Sequence, residues 1–249
     1  MSELVKISNL SKTYFDNNGM TMAVKNFTAT IKKGEFVALI GPSGCGKSTI
    51  LSILSGLLEK TSGEIEYSKD IKIGYMLQSD QLFNWRTVYK NAVLGLEVQR
   101  MMNKENISRV EKMLMEYGLY EFKNHYPNQL SGGMKQRAAL IRTLAVSPDL
   151  LLLDEPFSAL DYQSRIAVSD DIFRKIRKEE KTVIMVSHDI NEAISASDRV
   201  IVLTKRPAEI KSIYEINLNT NSDSLIEKRK APEFSQYFNM IWGDLDIHV

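Results

Sequence analysis

The stretch that decides the fold is Gly41-Pro42-Ser43-Gly44-Cys45-Gly46-Lys47-Ser48-Thr49. It satisfies in full the pattern G-x-x-x-x-G-K-[ST], which is typical of a loop that binds nucleotide phosphates. The glycines allow backbone N–H groups to turn towards the phosphates, and a following helix adds the positive end of its dipole. We predict that Lys47 reaches the β- and γ-phosphates of ATP and that the Ser48 hydroxyl binds Mg²⁺.

Apolar runs around this stretch predict the core of the fold. Residues 36–40 are typical of a short buried strand before the loop, and residues 49–54 begin a helix after it. The runs 150–153 and 183–186 both end in polar residues, as expected of parallel strands that are buried on both faces. With a helix predicted over about 161–180 between them, the sequence indicates an α/β fold with a P-loop nucleotide-binding core.

The flanking segments predict two further parts. Residues 3–37 alternate apolar and polar side chains, with turn signals at Asp16-Asn17-Asn18-Gly19 and at 33–34, which favours an N-terminal antiparallel β-subdomain. A further turn is predicted at 61–63. Residues 86–145 have apolar side chains at helical spacing, which predicts a helical insertion subdomain. We interpret four methionines of this insertion as core residues: Met101, Met102, Met113 and Met115.

Composition narrows the class of protein. The 249 residues are 43% hydrophobic and 25% charged, as in an ordinary globular protein, and the net charge of +1 gives no field that would favour nucleic acid. Cys45 is the one cysteine, so no disulfide forms within the chain, which fits a reducing cytosol. Apolar runs stay well below the roughly 18 residues that span a bilayer. We therefore expect contact with a membrane only through a partner.

Two carboxylates follow the apolar run 150–153. Asp154 lies where it can support Mg²⁺, and Glu155 lies one step further, where it can polarise an attacking water. Leu130-Ser131-Gly132-Gly133-Met134-Lys135-Gln136-Arg137 stands between the phosphate loop and this run. We expect Ser131 to cap a helix that starts near Met134, with the glycines exposing N–H groups at its positive end. This would be a second anion site in the same chain.

Together these motifs resemble those of ATP-binding cassette (ABC) ATPases, in the same order and at similar separations up to about Pro207. Gln78 is similar to the family's Q-loop glutamine, residues 158–161 (Ser-Ala-Leu-Asp) to its D-loop, and His188 to its switch histidine. Tyr14 is similar to the aromatic residue that stacks on adenine. The resemblance implies an ABC ATPase domain over 1–216, with its helical subdomain at about 86–145, and a C-terminal helical extension over 217–249. In that extension, the basic run 228–230 is interpreted as a solvated face.

The resemblance also implies roles for individual residues. The catalytic set is Glu155, His188, Gln78 and Lys47, and the metal set is Ser48, Gln78 and Asp154. The nucleotide-binding set comprises Tyr14, Gly41, Pro42, Ser43, Gly44, Cys45, Gly46, Lys47, Ser48, Thr49, Ser131, Gly132 and Gly133. In this family the signature of one copy faces the γ-phosphate bound to a second copy, which implies a head-to-tail dimer that encloses ATP.

Residues 78–97 resemble the importer branch for nitrate, sulfonate and taurine, although Asn84 replaces the branch's usual proline. Short importers of thiamine precursors look similar. The resemblance implies permease subunits, an external solute-binding protein and a position on the cytoplasmic face of the membrane. Leu82, Phe83 and Trp85 are expected to line a groove for a permease helix, or else to pack the helical insertion onto the core.

Two other classes of protein are compatible with parts of this pattern. A single-cassette ABC ATPase that acts as an assembly factor, without transport, is the main alternative. A kinase that uses the same phosphate loop is disfavoured, because no second substrate site is evident and the signature would have no use.

Overall fold

The computed structural model describes residues 2–16, 19–68, 70–158, 160–220 and 222–245. The strands of these residues form a three-stranded antiparallel sheet and a six-stranded mixed sheet, with helices between and around them. The predicted α/β fold with an N-terminal antiparallel sheet is therefore confirmed. Some residues of the predicted segments lie outside the described residues: Met1 and Lys69, Asn17 and Asn18 of the predicted turn, Ala159 of the D-loop, and Asn221 and 246–249 of the predicted extension.

The first sheet has the strand order β2-β1-β4. The strands are β1 (Glu3–Asp16), β2 (Gly19–Lys32) and β4 (Ser62–Tyr67). The turn predicted at 61–63 is wrong for Ser62 and Gly63, which belong to β4. Gly63 has φ +90, and a Cβ atom there would lie 2.4 Å from the Asn9 carbonyl oxygen, so the glycine allows close pairing with β1 instead of a turn.

The second sheet positions the functional residues. Its order is β5-β6-β7-β3-β8-β9, parallel except for the antiparallel edge strand β9. Its strands are β3 (Phe36–Ile40), β5 (Ile73–Met76), β6 (Leu150–Asp154), β7 (Thr182–Val186), β8 (Arg199–Leu203) and β9 (Ile210–Glu215). Every residue of β3, β6 and β7 is buried. The carboxyl ends of the parallel strands meet at one edge, where ligands bind in open α/β sheets.

The helices surround this sheet. They are α1 (Lys47–Leu54), α2 (Val88–Ala92), α3 (Leu94–Val98), α4 (Lys104–Glu116), α5 (Gly132–Leu144), α6 (Tyr162–Lys178), α7 (Ile190–Ala196), α8 (Leu225–Lys228) and α9 (Phe234–Asp244). Helices α2 to α5 form the insertion between β5 and β6. Among the described residues, no helix combines the length and hydrophobicity that crossing a bilayer requires.

Alternate residues of the central strand β3 face two separate hydrophobic cores. Val37 and Leu39 pack with α1 and the antiparallel sheet, whereas Ala38 and Ile40 pack with the helical insertion and the other helices. This explains why the strand is apolar at every position rather than at every second one. The phosphate loop, which follows Ile40, thus begins from a strand that is fixed on both faces.

Two predictions from the sequence about which side chains are buried and which are exposed are wrong in part. Met113 is buried on α4, but Met115 is 57% exposed and Met102 is also exposed, because they lie off the buried face of that helix and before its start. In the run 228–230, Lys230 is exposed, whereas burial lowers the pKa of Lys228. Arg229 donates from Nε to Ser195 Oγ at 3.3 Å. The run therefore packs partly against α7.

Candidate functional site

The phosphate loop joins the end of β3 to the first residue of α1. Lys47 begins that helix and is 7% exposed, and its Nζ donates to the carbonyl oxygens of Gly41 at 2.7 Å and of Pro42 at 3.0 Å. Gly46 has φ +134, and a Cβ atom there would lie 2.6 Å from the Ala23 carbonyl oxygen. Only glycine fits between the loop and β2 at this position.

A cavity of about 570 Å³ opens above this loop, a volume within the usual range for small-molecule sites. The lining residues come from the β1–β2 hairpin, the loop itself and the ends of the central strands. They are Tyr14, Thr21, Ala23, Gly41, Ser43, Gly44, Gly46, Lys47, Ser48, Thr49, Gln78, Glu155, His188 and Arg206. Pro42 lines a neighbouring cavity, and Cys45 is buried beneath the loop.

Three side chains of the predicted catalytic set meet at one carboxylate. Gln78 Nε2 donates to Glu155 Oε2 at 2.9 Å, and His188 Nδ1 lies 3.5 Å from the same oxygen. Glu155 has φ +48, the left-handed region that non-glycine residues rarely adopt. Such backbone strain is concentrated at functional sites, because the surrounding structure must hold it in place.

Asp154 lies deeper than Glu155, at the end of β6. It is 3% exposed, its Oδ2 accepts from the Tyr75 hydroxyl at 3.4 Å, and its Oδ1 has no hydrogen-bond partner among the described residues. Burial is the main cause that raises the pKa of Asp154, while a hydrogen bond from Ser48 acts in the opposite direction. Ser48, Gln78 and Asp154 all line one cavity of about 550 Å³ beside the phosphate loop. An unpartnered buried carboxylate oxygen beside a hydroxyl and an amide fits a hard cation.

The signature residues form a second cavity. Ser131 caps α5, which starts at Gly132 rather than near Met134, and its Oγ accepts from Met134 N at 3.4 Å. A Cβ atom on Gly133 would lie 2.6 Å from Leu160 Cδ2, so the helix start packs closely on the D-loop. This cavity of about 400 Å³ also includes Asp161. Among the described residues, it shares no lining residue with the cavity at the phosphate loop.

Three features of the site were not anticipated from the sequence. Arg206 lines the phosphate-loop cavity although it lies 162 residues from Gly44, whose carbonyl oxygen it contacts. Thr21 lines the same cavity from β2. Glu192 of α7 is buried. Its Oε2 accepts a hydrogen bond at 2.5 Å from Oγ of Ser187, the residue directly before His188. Burial raises the pKa of Glu192 to about 7.

The loop after Gln78 carries an exposed aromatic pair. Trp85 is 76% exposed, and its ring stacks on that of Phe83 with centroids 4.8 Å apart, whereas Leu82 is buried. Asn91 holds this loop: its Oδ1 accepts from Phe83 N at 2.8 Å, and its Nδ2 donates to the Phe83, Arg86 and Thr87 carbonyls. Arg142 donates to the carbonyls of Asp80 and Gln81. The stacked pair therefore stands on a loop with a fixed backbone.

The fold and the two cavities define a nucleotide-binding ATPase cassette. A family model described as "ABC transporter" matches residues 24–158. An ABC transporter ATP-binding protein of Bacillus subtilis (strain 168), YtlC, is 40% identical over 96% of this chain and 95% of its own length. The nitrate import ATP-binding protein NrtD of Synechocystis sp. is 36% identical over 95% and 93%. A solved structure similar to this chain is the dimeric cassette MJ0796 bound to ADP and Pi, with a TM-score of 0.75, 35% identity and coverage of 86% and 99%.

The chain therefore belongs to the ABC transporter family, as its ATP-binding and ATP-hydrolysing subunit. Its similarity to NrtD agrees with the resemblance of residues 78–97 to the nitrate, sulfonate and taurine branch.

Proposed function

We propose that the protein energises an ABC importer that takes up a small solute, resembling nitrate, a sulfonate, taurine or a thiamine precursor, through permease subunits. The observation that carries this proposal is the exposed Phe83–Trp85 pair directly after Gln78. Similarity to a nitrate import ATP-binding protein supports it. The subunit would work on the cytoplasmic face of the membrane, and an external solute-binding protein would deliver the solute to the permease.

The nucleotide site uses charge and backbone donors. Tyr14 stacks on adenine; its hydroxyl lies 3.3 Å from Thr49 Oγ1 at the start of α1, which keeps the ring beside the loop. The loop 41–49 encloses the phosphates with its N–H groups. Lys47 exchanges its contacts with the Gly41 and Pro42 carbonyls for phosphate oxygens, which are stronger partners for an ammonium group.

Ser48, Gln78 and Asp154 would hold Mg²⁺ together with oxygens of the nucleotide. The described residues contain no group of three or more His, Cys, Asp or Glu side chains suited to a metal ion, so these unlike donors are the ones available beside the phosphates. A bound Mg²⁺ would neutralise phosphate charge. Its charge would also favour the ionised form of Asp154, whose burial otherwise opposes ionisation.

Glu155 is the proposed general base. A water attacks the γ-phosphorus, its proton passes to the Glu155 carboxylate, and the bond from the γ-phosphorus to the bridging oxygen breaks to give ADP and phosphate. Gln78 and His188 hold that carboxylate in place through their contacts with Oε2. We expect His188 to contact the γ-phosphate as well, and its position in the lining of the same cavity supports this.

The second cavity supports a head-to-tail dimer. Ser131, Gly132 and Gly133 form the N-terminus of α5, a 13-residue helix, and they are separate from the phosphate loop of their own chain. Backbone N–H groups at such a helix start bind anions, so they would contact the γ-phosphate held by a second copy. The MJ0796 cassette, a neighbour of this chain by fold and sequence, is dimeric in its solved structure.

The aromatic pair is tested by truncation. We expect Phe83→Ala/Trp85→Ala to weaken copurification with the permease subunits in mild detergent and to lower solute uptake, since buried aromatic anchors contribute on the order of 2 kcal/mol each. ATP binding and the unfolding temperature should stay unchanged. The matched control is Leu57→Ala/Val98→Ala, which removes two other exposed apolar side chains.

The opposite outcome is equally clear. A double variant that loses thermal stability but keeps its membrane partner would place both aromatics in the packing of the insertion and would contradict the importer proposal. Recovery of the wild-type chain from its cells without any permease would favour the alternative of an assembly factor.

A further inference from the structure

Arg206 reaches the phosphate loop from the loop between β8 and β9. Its Nε and Nη2 both donate to the carbonyl oxygen of Gly44, at 3.0 and 2.7 Å. Gly44 has φ +69, and a Cβ atom there would lie 3.4 Å from Arg206 Nη2, so the guanidinium packs directly on the loop. The side chain is exposed and forms part of the wall of the nucleotide cavity.

The backbone that carries Arg206 is fixed on both sides. Thr204 Oγ1 donates to the Pro207 carbonyl at 2.9 Å and accepts from Glu209 N at 3.0 Å, which closes the loop on itself. Ala208 N donates to the Ala23 carbonyl and Lys25 N donates to the Ala208 carbonyl, at 2.9 and 3.0 Å. The loop is thereby attached to β2, the strand against which Gly46 packs. Arg206 thus extends from a fixed support and not from a free loop.

The guanidinium has donors left over. Arginine carries five N–H donors. The contact with the Gly44 carbonyl oxygen uses one from Nε and one from Nη2, so the others remain for a ligand. Within the part of the chain that the structure describes, no carboxylate forms an ion pair with Arg206. Lys47 is buried and sits at the other end of the loop, on the carbonyls of Gly41 and Pro42. The cavity therefore has two cations that contact different parts of one phosphate-binding loop.

We propose, on the basis of the nucleotide site described under Proposed function, that Arg206 is a further nucleotide-binding residue. Its contact with the Gly44 carbonyl fixes the guanidinium beside the loop, and its remaining N–H groups donate to the phosphate chain of a nucleoside di- or triphosphate. Arginine suits both tasks, because its planar fork holds several acceptors at once, which a lysine ammonium does only as a point charge.

The test is equilibrium binding of ADP to the full-length protein, since ADP carries the phosphate chain and undergoes no hydrolysis. We expect Arg206→Gln to weaken affinity about tenfold at low salt, equivalent to about 1.4 kcal/mol. The loss should shrink to about threefold in 0.5 M KCl, because salt screens an exposed charge contact. Arg206→Lys should fall between the wild type and Arg206→Gln.

Lys205→Gln is the matched control. Lys205 is the adjacent exposed cation, but it lines the neighbouring cavity and not the nucleotide cavity, so its removal should change affinity by less than about twofold. An equal loss in Lys205→Gln would mean a general field effect and would overturn the assignment. So would wild-type affinity in Arg206→Gln, or a salt-independent loss accompanied by a lower unfolding temperature, which would make Arg206 a structural contact only.

Lys47→Ala separates failure of this proposal from failure of the site. If Lys47→Ala loses ADP binding and Arg206→Gln does not, the phosphate-loop site stands and the role of Arg206 is wrong. If Lys47→Ala binds ADP as the wild type does, the nucleotide site itself is misplaced and the assignment of Arg206 falls with it.

Discussion

The phosphate loop and the signature are two glycine-containing helix starts with very different surroundings. The phosphate loop at α1 carries Lys47, and it lines one cavity of about 570 Å³ together with Glu155 and His188. The signature at α5 offers backbone donors and the Ser131 cap, and the guanidinium of Arg137 beside it donates to the Gly133 and Tyr117 carbonyls. The phosphate-loop region thus holds the residues proposed for hydrolysis, whereas the signature region offers backbone N–H groups, a hydroxyl, the Asp161 carboxylate and a guanidinium that already donates to backbone carbonyls.

This difference explains why a single chain would hold both. The signature cavity contains none of the residues proposed for hydrolysis, so it would act on a nucleotide that another phosphate loop holds. The cavity at the phosphate loop, in turn, includes no signature residue among its described lining. Each region would supply what the other lacks, and two copies arranged head to tail would complete two sites.

The largest expected effect concerns the chemistry of the phosphate-loop side. Glu155→Gln keeps the shape of the side chain and removes the proposed general base, so phosphate release should fall by about 10²–10⁴-fold. ATP binding should survive, because the loop is untouched. Turnover within a few-fold of the wild type would show that Glu155 is not the base.

The next effect concerns the signature side. Gly132→Asp places a carboxylate where the partner's γ-phosphate would lie, and like charges brought together at an interface cost several kcal/mol. ATP-driven dimerisation in a Glu155→Gln background should weaken at least about a hundredfold, while each monomer still binds ATP. Gly132→Asn, of similar size but uncharged, should weaken dimerisation less. Equal defects in both variants would point to steric disruption instead of charge.

Removal of the loop cation is expected to weaken binding itself. Lys47→Ala deletes a charged donor worth about 1.5–3 kcal/mol, so ATP affinity should fall about 10–100-fold in a direct titration. The contrast with Gly132→Asp is the informative point, because that change should leave monomer binding intact. Unchanged affinity in Lys47→Ala would remove the loop from the site.

The parallel core and the order of its motifs could be predicted from the sequence, because apolar runs that end in polar residues are a local pattern. The meeting of Gln78 and His188 at Glu155 follows from strands whose carboxyl ends share an edge. Arg206 could not be placed in this way, because its contact with Gly44 joins two segments that lie 162 residues apart in the sequence. Met115 was wrongly predicted to be a core residue, because a helical segment with many apolar residues does not by itself show which of its faces packs against the core.

The smallest effect is on stability and concerns Glu192, which supports the loop before His188. Burial raises its pKa from an ordinary 4.5 to about 7, so the folded state keeps its proton where the unfolded chain releases it. Stability from this group is complete below about pH 4.5 and is lost as pH rises to about 7. Glu192→Gln should therefore unfold like the wild type at pH 4.5 and be more stable at pH 8, by on the order of 2 kcal/mol.

Thermal unfolding at several pH values measures this difference directly. If the difference in stability between Glu192→Gln and the wild type stays constant from pH 4.5 to 8, the Glu192 carboxyl is not held in its protonated form by burial. ATP-driven dimerisation should be unaffected by the substitution, because the signature lies elsewhere.

The complementarity of the two regions is tested most directly by mixing two defective chains. Lys47→Ala and Gly132→Asp are each placed in a Glu155→Gln background and combined with ATP, and dimer is measured by size-exclusion chromatography with light scattering. A mixed dimer contains one site with both faces intact and one with both faces damaged. The head-to-tail account predicts ATP-dependent dimer in the mixture that neither chain forms alone. No more dimer in the mixture than in the separate chains, while Glu155→Gln alone dimerises, would contradict it.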